Sequence, residues 1–342
     1  MQKQYHALAL FSGGLDSILA IKVIQRQGLD VLGLHFTSPF FGDMSCIMHW
    51  QKTYDLELTT VDIGREYLNL LRQPRYGFGK YLNPCVDCKI LMIRHGLKLL
   101  STYGASFLVS GEVIGQRPMS QRKDAMNSIR NMTQAEDRLL RPLCAFTQEP
   151  TLPEKNGLID REKLPRITGR DRKIQMELAR QFGITEIPNP GGGCLLTERE
   201  RARCYAPVLT HFSCPAPEDF ILTGLGRQFW HDNFWLTIGR NQADNERLAQ
   251  AARKTDVQIR LAQHPGPVGL LRSPQSHIPE IVLREAAKQT AWFAPKTRGM
   301  EVDICQTGCV EQSLRLQPEK SAFWQEPEAD GIAACKKHLT FS

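Results

Sequence analysis

The amino-terminal turn of this chain constrains its fold more than any other sequence feature. A short apolar run at 5–11 predicts a strand, and an apolar-periodic stretch at 18–25 predicts a helix. Between them lies Ser12-Gly13-Gly14-Leu15-Asp16-Ser17. The two glycines permit a tight turn with positive φ, and the first N–H groups of the following helix have no intrahelical partner. A strand, a glycine turn and a helix in this order predict a phosphate-binding site.

Two side chains of the turn extend this prediction to a nucleotide with its metal ion. Ser17 is placed to cap the helix, and Asp16 is placed where a carboxylate helps to hold Mg²⁺ on phosphates. The Gly-Lys-Ser/Thr ending of a Walker A loop is missing. The alternative is a plain strand-to-helix turn without a ligand. The motif SGGxDS resembles the signature of the PP-loop ATP pyrophosphatases, and this resemblance implies ATP as the nucleotide.

The first third of the chain predicts an α/β fold with a parallel, Rossmann-like sheet. Apolar runs predict strands at 7–11, 31–37, 58–63 and 107–112, and helical patterns lie at 17–27, 64–71 and 88–103. Strands that alternate with helices of this length form βαβ units with helices on both faces of the sheet. Since ligands bind at the carboxyl ends of parallel strands, we expect Ser12, His35–Thr37 and Ser110–Glu112 to meet in one crevice.

After residue 200 the predicted strand–helix alternation gives way to short β runs around helical segments, and this change predicts two domains. Residues 1–200 form the PP-loop domain, proline-marked and polar residues at 201–217 form a connection, and residues 218–342 form a smaller α+β domain. Within the first domain, 171–182 is predicted to be a helix with Ile174, Leu178 and Phe182 on one face.

Composition and charge exclude some classes of protein. Apolar residues make up 42% of the chain and charged residues 23%, as in globular domains. No apolar run reaches the roughly 18 residues of a membrane span, and the start of the chain is a strand pattern. We therefore expect a cytoplasmic protein without a membrane partner. The net charge of +7 suits an anionic partner, and basic residues concentrate at 65–98 and 161–173, where the alternative is a solvated helix face.

The ten cysteines are expected to be metal ligands, catalytic groups or buried thiols rather than disulfides. Cys85 and Cys88 form a CxxC motif just before a helix, and Cys194 follows three glycines. Three thiolates with one open coordination position suit a [4Fe-4S] cluster, and they could equally serve as a persulfide cysteine with resolving partners. A third interpretation leaves Cys194 unrelated to the other two. The remaining cysteines are expected to be ordinary buried thiols: Cys46, Cys144, Cys204, Cys214, Cys305, Cys309 and Cys335.

Four features together resemble the PP-loop tRNA thiolation enzymes. They are the SGGLDS turn, the CxxC motif, Gly111-Glu112-Val113-Ile114-Gly115-Gln116 and the glycine-flanked Cys194. The GEVIGQ segment is similar to the 4-thiouridine synthases, and the cysteine layout resembles the thiolases that act on 2-thiocytidine and 2-thiouridine. The resemblance covers residues 5–200. It implies an ATP-dependent tRNA sulfurtransferase that adenylates a nucleobase carbonyl, releases pyrophosphate, and replaces the carbonyl oxygen with sulfur while AMP leaves.

The resemblance also implies roles for individual residues. Asp16, Cys85 and Cys194 would be catalytic, and Cys85, Cys88 and Cys194 would hold the cluster. The residues expected to bind ATP and Mg²⁺ lie in the turn or at strand ends: Ser12, Gly13, Gly14, Leu15, Asp16, Ser17, His35, Gly111, Glu112 and Gln116. Glu112 is the candidate for orienting substrate or metal.

The expected partners are tRNA and a sulfur donor protein or sulfide, and the sequence leaves open whether two copies form a homodimer. Two other functions stay open at this point. One is a PP-loop ligase or sulfur-insertion enzyme that acts on a small molecule. The other is a non-catalytic RNA-binding protein that senses nucleotide.

Residues 220–310 resemble the RNA-binding NFACT-R module. Ile238-Gly239-Arg240-Asn241, Pro265-Gly266 and Glu285-Ala286-Ala287 carry the resemblance. The chain departs from the module at Gln258 and Arg260, where an aromatic residue and a histidine are usual. The resemblance implies an RNA-binding face, on which we expect the cations Arg240, Arg260 and Arg272. The alternative role is dimerisation or scaffolding.

Overall fold

Two units make up the structure, a computed structural model that describes residues 3–135, 137–189, 193–275, 277–328 and 330–341. The first unit is Met1–Thr197 and the second is Glu198–Ser342. Within the described ranges, every helix is too short or too polar to cross a membrane.

The first unit alternates strands and helices along the chain. Its strands are β1 (Ala7–Phe11), β2 (Val31–Thr37), β3 (Glu57–Asp62), β4 (Phe107–Ser110) and β5 (Leu139–Leu140). Its helices are α1 (Leu15–Gln25), α2 (Ile47–Tyr54), α3 (Gly64–Arg72), α4 (Cys85–Leu99), α5 (Lys123–Thr133), α6 (Leu152–Lys155) and α7 (Lys173–Gln181). The predicted α/β fold is confirmed.

The five strands form one parallel sheet in the order β3-β2-β1-β4-β5. β1 is central, with Ala7 beside Val31 of β2 on one side and beside Phe107 of β4 on the other. Every residue of these three strands is buried, which explains their continuous apolar runs in the sequence. Because the strand order reverses at β1, a crevice opens beyond the carboxyl ends of β1, β2 and β4.

Helices cover both faces of this sheet. Ala7, Ala9 and Phe11 of β1 pack with α1 and α7 in one core. On β4, Leu108 lies against α4, where a Cβ on Gly96 would come within 2.8 Å of the Leu108 side chain. Glycine at position 96 therefore lets α4 approach the sheet closely.

The second unit combines an antiparallel sheet with helices. Its strands are β6 (Arg227–His231), β7 (Phe234–Ile238), β8 (Val257–Leu261), β9 (Gly269–Arg272), β10 (Val302–Gly308) and β11 (Gln312–Leu316), in the order β11-β10-β8-β9-β7-β6. Its helices are α8 (Arg199–His211), α9 (Pro217–Leu222), α10 (Gln242–Ala251), α11 (Glu280–Trp292) and α12 (Gly331–Phe341). Val282 and Ala286 of α11 pack on Ile259 and Ile304 of the sheet in one core. This is the α+β architecture that the sequence predicts.

The structure differs from the sequence prediction over 201–217. Most of this stretch lies in α8, where Ala202 and Tyr205 are buried, and its last residue begins α9. Proline normally interrupts a helix because it has no N–H group and its ring clashes with the preceding turn. Pro207 nevertheless lies inside α8, and this residue is the reason that the sequence favoured a connection.

Candidate functional site

A cavity of about 380 Å³ opens at the carboxyl ends of β1, β2 and β4. Most of the predicted site residues line it: Ser12, Gly14, Asp16, Ser17, His35, Cys85, Cys88, Gly111, Glu112 and Cys194. Three others have different positions. Gly13 lies against Trp50, Leu15 is buried in the core, and Gln116 holds Asp16. The structure thus brings the glycine turn and three thiols to one chamber.

The glycine turn passes directly from β1 into α1. Gly13 has a φ of 76°, and Gly14 is the N-cap of α1. The Ser17 hydroxyl donates a hydrogen bond of 2.7 Å to the Gly14 carbonyl and accepts one of 3.3 Å from the Ser12 N–H. The prediction that Ser17 caps the helix is wrong, because α1 already begins at Leu15. Ser17 braces the turn instead.

Two glycines let other segments approach this turn closely. A Cβ on Gly111 would lie 2.5 Å from the Asp16 carbonyl oxygen, so the end of β4 packs directly on the turn. A Cβ on Gly13 would lie 2.6 Å from the indole ring of Trp50. Trp50 also lines the cavity from α2, a helix that the sequence did not predict. No hydrophobic periodicity in the sequence of α2 gave a signal for this position.

His35 is a buried, neutral imidazole on the cavity wall. Its side chain is almost fully buried at the end of β2, and burial lowers the pKa of the ring. Nδ1 lies 3.2 Å from the Phe11 carbonyl oxygen, which fixes Nδ1 as the protonated nitrogen. Nε2 is buried and has no hydrogen-bond partner among the described residues. His35 therefore offers an acceptor nitrogen to the cavity.

The three predicted thiols surround Tyr67, a fully buried residue of α3 that the sequence did not single out. Cys85 and Cys88 lie in the first turn of α4, and the Asn83 amide donates a hydrogen bond of 3.1 Å to the Cys85 sulfur. Burial raises the pKa of Tyr67 well above its usual value, and the nearby Cys88, Cys194 and Cys85 thiols raise it further. All three sulfurs therefore lie within electrostatic reach of one hydroxyl.

Burial also raises the pKa of the Cys88 thiol to about 12. Among the residues described, no group of three or more His, Cys, Asp or Glu side chains is placed to hold a single metal ion. The donor set itself fits an iron–sulfur cluster, because three soft thiol sulfurs line one cavity. All ten cysteines are free thiols, of which Cys144 and Cys335 are buried and Cys214 and Cys309 are exposed.

The Glu112 carboxylate, which was predicted to orient substrate or metal, is held by partners within the protein. Its carboxylate accepts hydrogen bonds from Arg141 Nε at 3.0 Å and from the Ser110 hydroxyl at 3.1 Å, and Lys89 Nζ lies 4.0 Å away. Burial alone raises the pKa of Glu112, but Lys89, Arg141 and Ser110 outweigh it and hold the pKa below its usual value. Glu112 and Lys89 both line the cavity, so the carboxylate lies beside the site together with one of its cations.

The Asp16 carboxylate is held by two amides. Gln116 Nε2 lies 2.9 Å from one carboxylate oxygen, and Gln175 Nε2 of α7 lies 3.5 Å from the other. Gln175 was missed because the sequence assigned the apolar face of this helix to Ile174, Leu178 and Phe182. In the structure Ile174 is exposed, and the buried face consists of Gln175, Leu178 and Ala179.

The predicted basic face of the second unit is wrong at one position. Arg272 is buried, and its guanidinium pairs with Asp219 and Asp256. Arg240 lies just before α10 and pairs with Asp244 of that helix, and Arg260 is exposed on β8. The basic stretch 161–173 in the first unit is also largely paired, through the ion pairs Arg161–Glu154, Lys163–Asp160, Arg166–Glu162 and Lys173–Asp171.

The parallel sheet and the glycine turn after β1 define a Rossmann-like α/β domain, and comparison with known families agrees. Residues 2–152 match the family model described as thiamine biosynthesis protein (ThiI). The similarity to this family lies within the first unit.

Curated relatives are similar to part of the chain. A protein of Thermococcus kodakarensis named probable tRNA sulfurtransferase is 28% identical over 174 residues, which cover 47% of this chain and 43% of that protein. A protein of the same name from Staphylococcus aureus is 31% identical over 153 residues, which cover 42% of this chain and 35% of that protein. The chain spans less than half the length of these relatives.

Two solved structures show weaker likeness. One is a predicted subunit of tRNA methyltransferase from Methanocaldococcus jannaschii, with a TM-score of 0.32, 16% identity, and coverage of 43% of this chain and 71% of that chain. The other is the C-terminal part of the fibronectin/fibrinogen-binding protein of Streptococcus suis, with a TM-score of 0.24, 14% identity, and coverage of 56% and 86%. The resemblance of 220–310 to the NFACT-R module stays a prediction.

Proposed function

We propose that this chain is an ATP-dependent tRNA sulfurtransferase. The observation that carries the proposal is one cavity lined by both the glycine turn and the thiols of Cys85, Cys88 and Cys194. Exchange of a carbonyl oxygen for sulfur requires that the activating nucleotide reach the oxygen, and the sulfur reach the carbon, of the same carbonyl group. The ThiI-family match and the name of the curated relatives support tRNA as the substrate.

In the first step, the chain binds ATP with Mg²⁺ and activates a nucleobase. Free N–H groups at the start of α1 receive the phosphates, and Asp16 holds Mg²⁺ against them. The carbonyl oxygen of the base attacks the α-phosphorus, the bond from that phosphorus to the bridging oxygen breaks, and pyrophosphate leaves. Lys89 and the exposed Arg117 line the cavity and stabilise the negative charge that develops.

In the second step, sulfur replaces the activated oxygen. A sulfur nucleophile adds to the base carbon, the carbon–oxygen bond breaks, and the original carbonyl oxygen leaves as part of AMP. Cys85, Cys88 and Cys194 would hold a [4Fe-4S] cluster, which would supply sulfur-binding chemistry at the site. The sulfur comes from a separate donor protein or from sulfide.

A persulfide is the alternative chemistry at the same thiols. Its terminal sulfur would bond to the base carbon, and a second cysteine would then attack the inner sulfur. This attack releases the thiolated base and leaves a cysteine disulfide, which a thiol reductant must reduce.

We further propose that the second unit contributes RNA contacts. Arg260 of the predicted RNA face is exposed, and its Nη2 donates to Gln258 of the same strand. An exposed guanidinium of this kind suits a phosphate contact.

The test uses full-length protein prepared without oxygen and supplied with ATP, Mg²⁺, sulfide and unmodified tRNA. Mass spectrometry of digested tRNA measures the thionucleoside, and chromatography measures AMP and pyrophosphate. Alanine at Cys85, Cys88 or Cys194 should abolish the thionucleoside but preserve ATP binding. Asp16→Ala should suppress AMP and pyrophosphate as well as the thionucleoside.

Cys46→Ala is the matched control, because Cys46 is a half-buried thiol of the same unit that does not line the cavity. It should behave as the wild type. ADP and orthophosphate as products, or normal thiolation by the three alanine variants, would contradict the proposed function.

A further inference from the structure

The Asp16 carboxylate is clamped by amides from two segments that lie far apart in the sequence. Gln116 follows β4 and donates to one oxygen, while Gln175 lies on α7 and donates to the other. Helix α7 packs against α1, the helix that carries Asp16. Since each carboxylate oxygen has its own donor, rotation of the carboxylate would break both hydrogen bonds.

The polar side chain of Gln175 is energetically unfavourable at its buried position. Its side chain is 0% exposed, and its Oε1 has no hydrogen-bond partner among the described residues. Its neighbours on the buried face of α7, Leu178 and Ala179, belong to the apolar core of the first unit. An unpaired buried amide oxygen destabilises a protein, so packing alone favours an apolar side chain here.

The amide of Gln175 is aimed at the nucleotide site. Its Nε2 faces Asp16, which lines the cavity, and the Oε1 of the second amide, Gln116, is likewise buried without a partner among the described residues. A carboxylate accepts about four hydrogen bonds or ligand bonds, and the two amides use only two of these positions. The free positions of Asp16 are left for a cation in the cavity.

We infer that Gln175 is a positioning residue of the nucleotide site, which together with Gln116 orients Asp16 to hold Mg²⁺ on the phosphates of ATP. The inference rests on the proposed function, because Asp16 is the residue assigned there to Mg²⁺. It adds α7 to the site. This helix lies beyond residues 2–152, the segment that matches the family model.

The test is Gln175→Leu in the full-length protein. Calorimetry measures ATP binding over a range of Mg²⁺ concentrations, and the half-saturating Mg²⁺ concentration should rise about 5- to 10-fold, the loss of one hydrogen bond to a charged group. The melting temperature should stay equal or rise, because leucine suits the core. Gln181→Leu on the same helix is the matched control, since Gln181 is exposed, and it should leave the Mg²⁺ dependence unchanged.

A second variant separates positioning from a purely structural role. In an Asp16→Asn background, Gln175→Leu should cause no further change in the Mg²⁺ dependence, because the carboxylate that it orients is gone. A structural role would give the same change in both backgrounds and would overturn the inference.

The two proposals fail in different ways. If the wild type and Gln175→Leu bind ATP with the same half-saturating Mg²⁺ concentration, the positioning role alone is overturned. Wild-type protein that binds no ATP at any Mg²⁺ concentration would overturn the proposed function and the positioning role together.

Discussion

The two units each bury a charged cluster, and the clusters differ in how completely they are paired. In the second unit, Arg272 donates to Asp256 through Nε and Nη2 and to Asp219 through Nη1. Its Nη2 also donates to the Ala251 carbonyl at 2.9 Å. Within the described residues, every side-chain nitrogen of this arginine has a partner.

The cluster beside the cavity of the first unit is incomplete. Arg141 donates to Glu112 and to Gln148, but Arg141 Nη2 and Glu112 Oε1 are buried without hydrogen-bond partners in the described part of the chain. Lys89, at 4.0 Å from Glu112, lines the cavity. We interpret the fully paired Arg272 cluster as an element of fold stability. The incompletely paired cluster of Arg141, Glu112 and Lys89 lies beside the cavity, where a ligand could satisfy its remaining polar atoms.

The largest effect is expected from Arg272→Met. The variant leaves Asp219 and Asp256 as buried carboxylates without their main cation, which should lower the free energy of unfolding by about 3–5 kcal/mol. Four of the five tryptophans lie in the second unit, so urea unfolding followed by intrinsic fluorescence reports mainly on that unit. Arg260→Met is the matched control and should change the free energy by less than about 0.5 kcal/mol, because Arg260 is exposed. Equal losses in the two variants would contradict the difference between buried and exposed arginines.

A smaller loss, about 2 kcal/mol, is expected from Arg141→Met, because Glu112 keeps Lys89 and the Ser110 hydroxyl as partners. Hydrogen exchange read by mass spectrometry on peptides of the first unit measures this loss directly. If Arg141→Met destabilises its unit as much as Arg272→Met destabilises the other, the two clusters are equivalent and the comparison fails.

The pH dependence of stability tests how much the Glu112 charge contributes to the cluster of the first unit. The pKa of Glu112 is held below its usual value of 4.5, so its ionised form stabilises the fold above pH 4.5. That stabilisation is lost as the pH falls through the lowered pKa. Thermal unfolding of the wild type and of Glu112→Gln should therefore differ most above pH 4.5 and converge in more acidic solution. A difference that stays constant across this range would show that the Glu112 charge contributes nothing.

The parallel sheet could be predicted from the sequence because its central strands are buried throughout. The runs at 7–11 and 31–37 agree with β1 and β2 to the residue, and the turn after β1 has its own glycine signature. The grouping of Cys85 and Cys88 with Cys194 was predicted from the glycines before Cys194 and from the family resemblance, and all three line one cavity. No local pattern joins residues that lie more than a hundred positions apart.

The errors concern properties that depend on tertiary contacts. Arg272 looked like a surface cation, yet its two carboxylate partners lie 16 and 53 positions away in the chain. Gln175 lay outside the predicted apolar face of Ile174, Leu178 and Phe182, because the buried face of α7 is rotated toward Gln175 and Ala179 and retains only Leu178 and part of Phe182. Pro207 concealed α8, which packs against α12 and α9.

The central claim is that one cavity activates a base carbonyl with ATP and then replaces its oxygen with sulfur. The most direct measurement uses a tRNA transcript whose nucleobase carbonyl oxygens carry ¹⁸O, incubated with the full-length protein, ATP, Mg²⁺ and sulfide. Mass spectrometry of the AMP and of the digested tRNA then shows where the oxygen goes. The account predicts one ¹⁸O atom in each AMP that is coupled to a thionucleoside, with the two products formed in equal amounts. AMP without ¹⁸O alongside thiolated tRNA, or ADP as the nucleotide product, would contradict it.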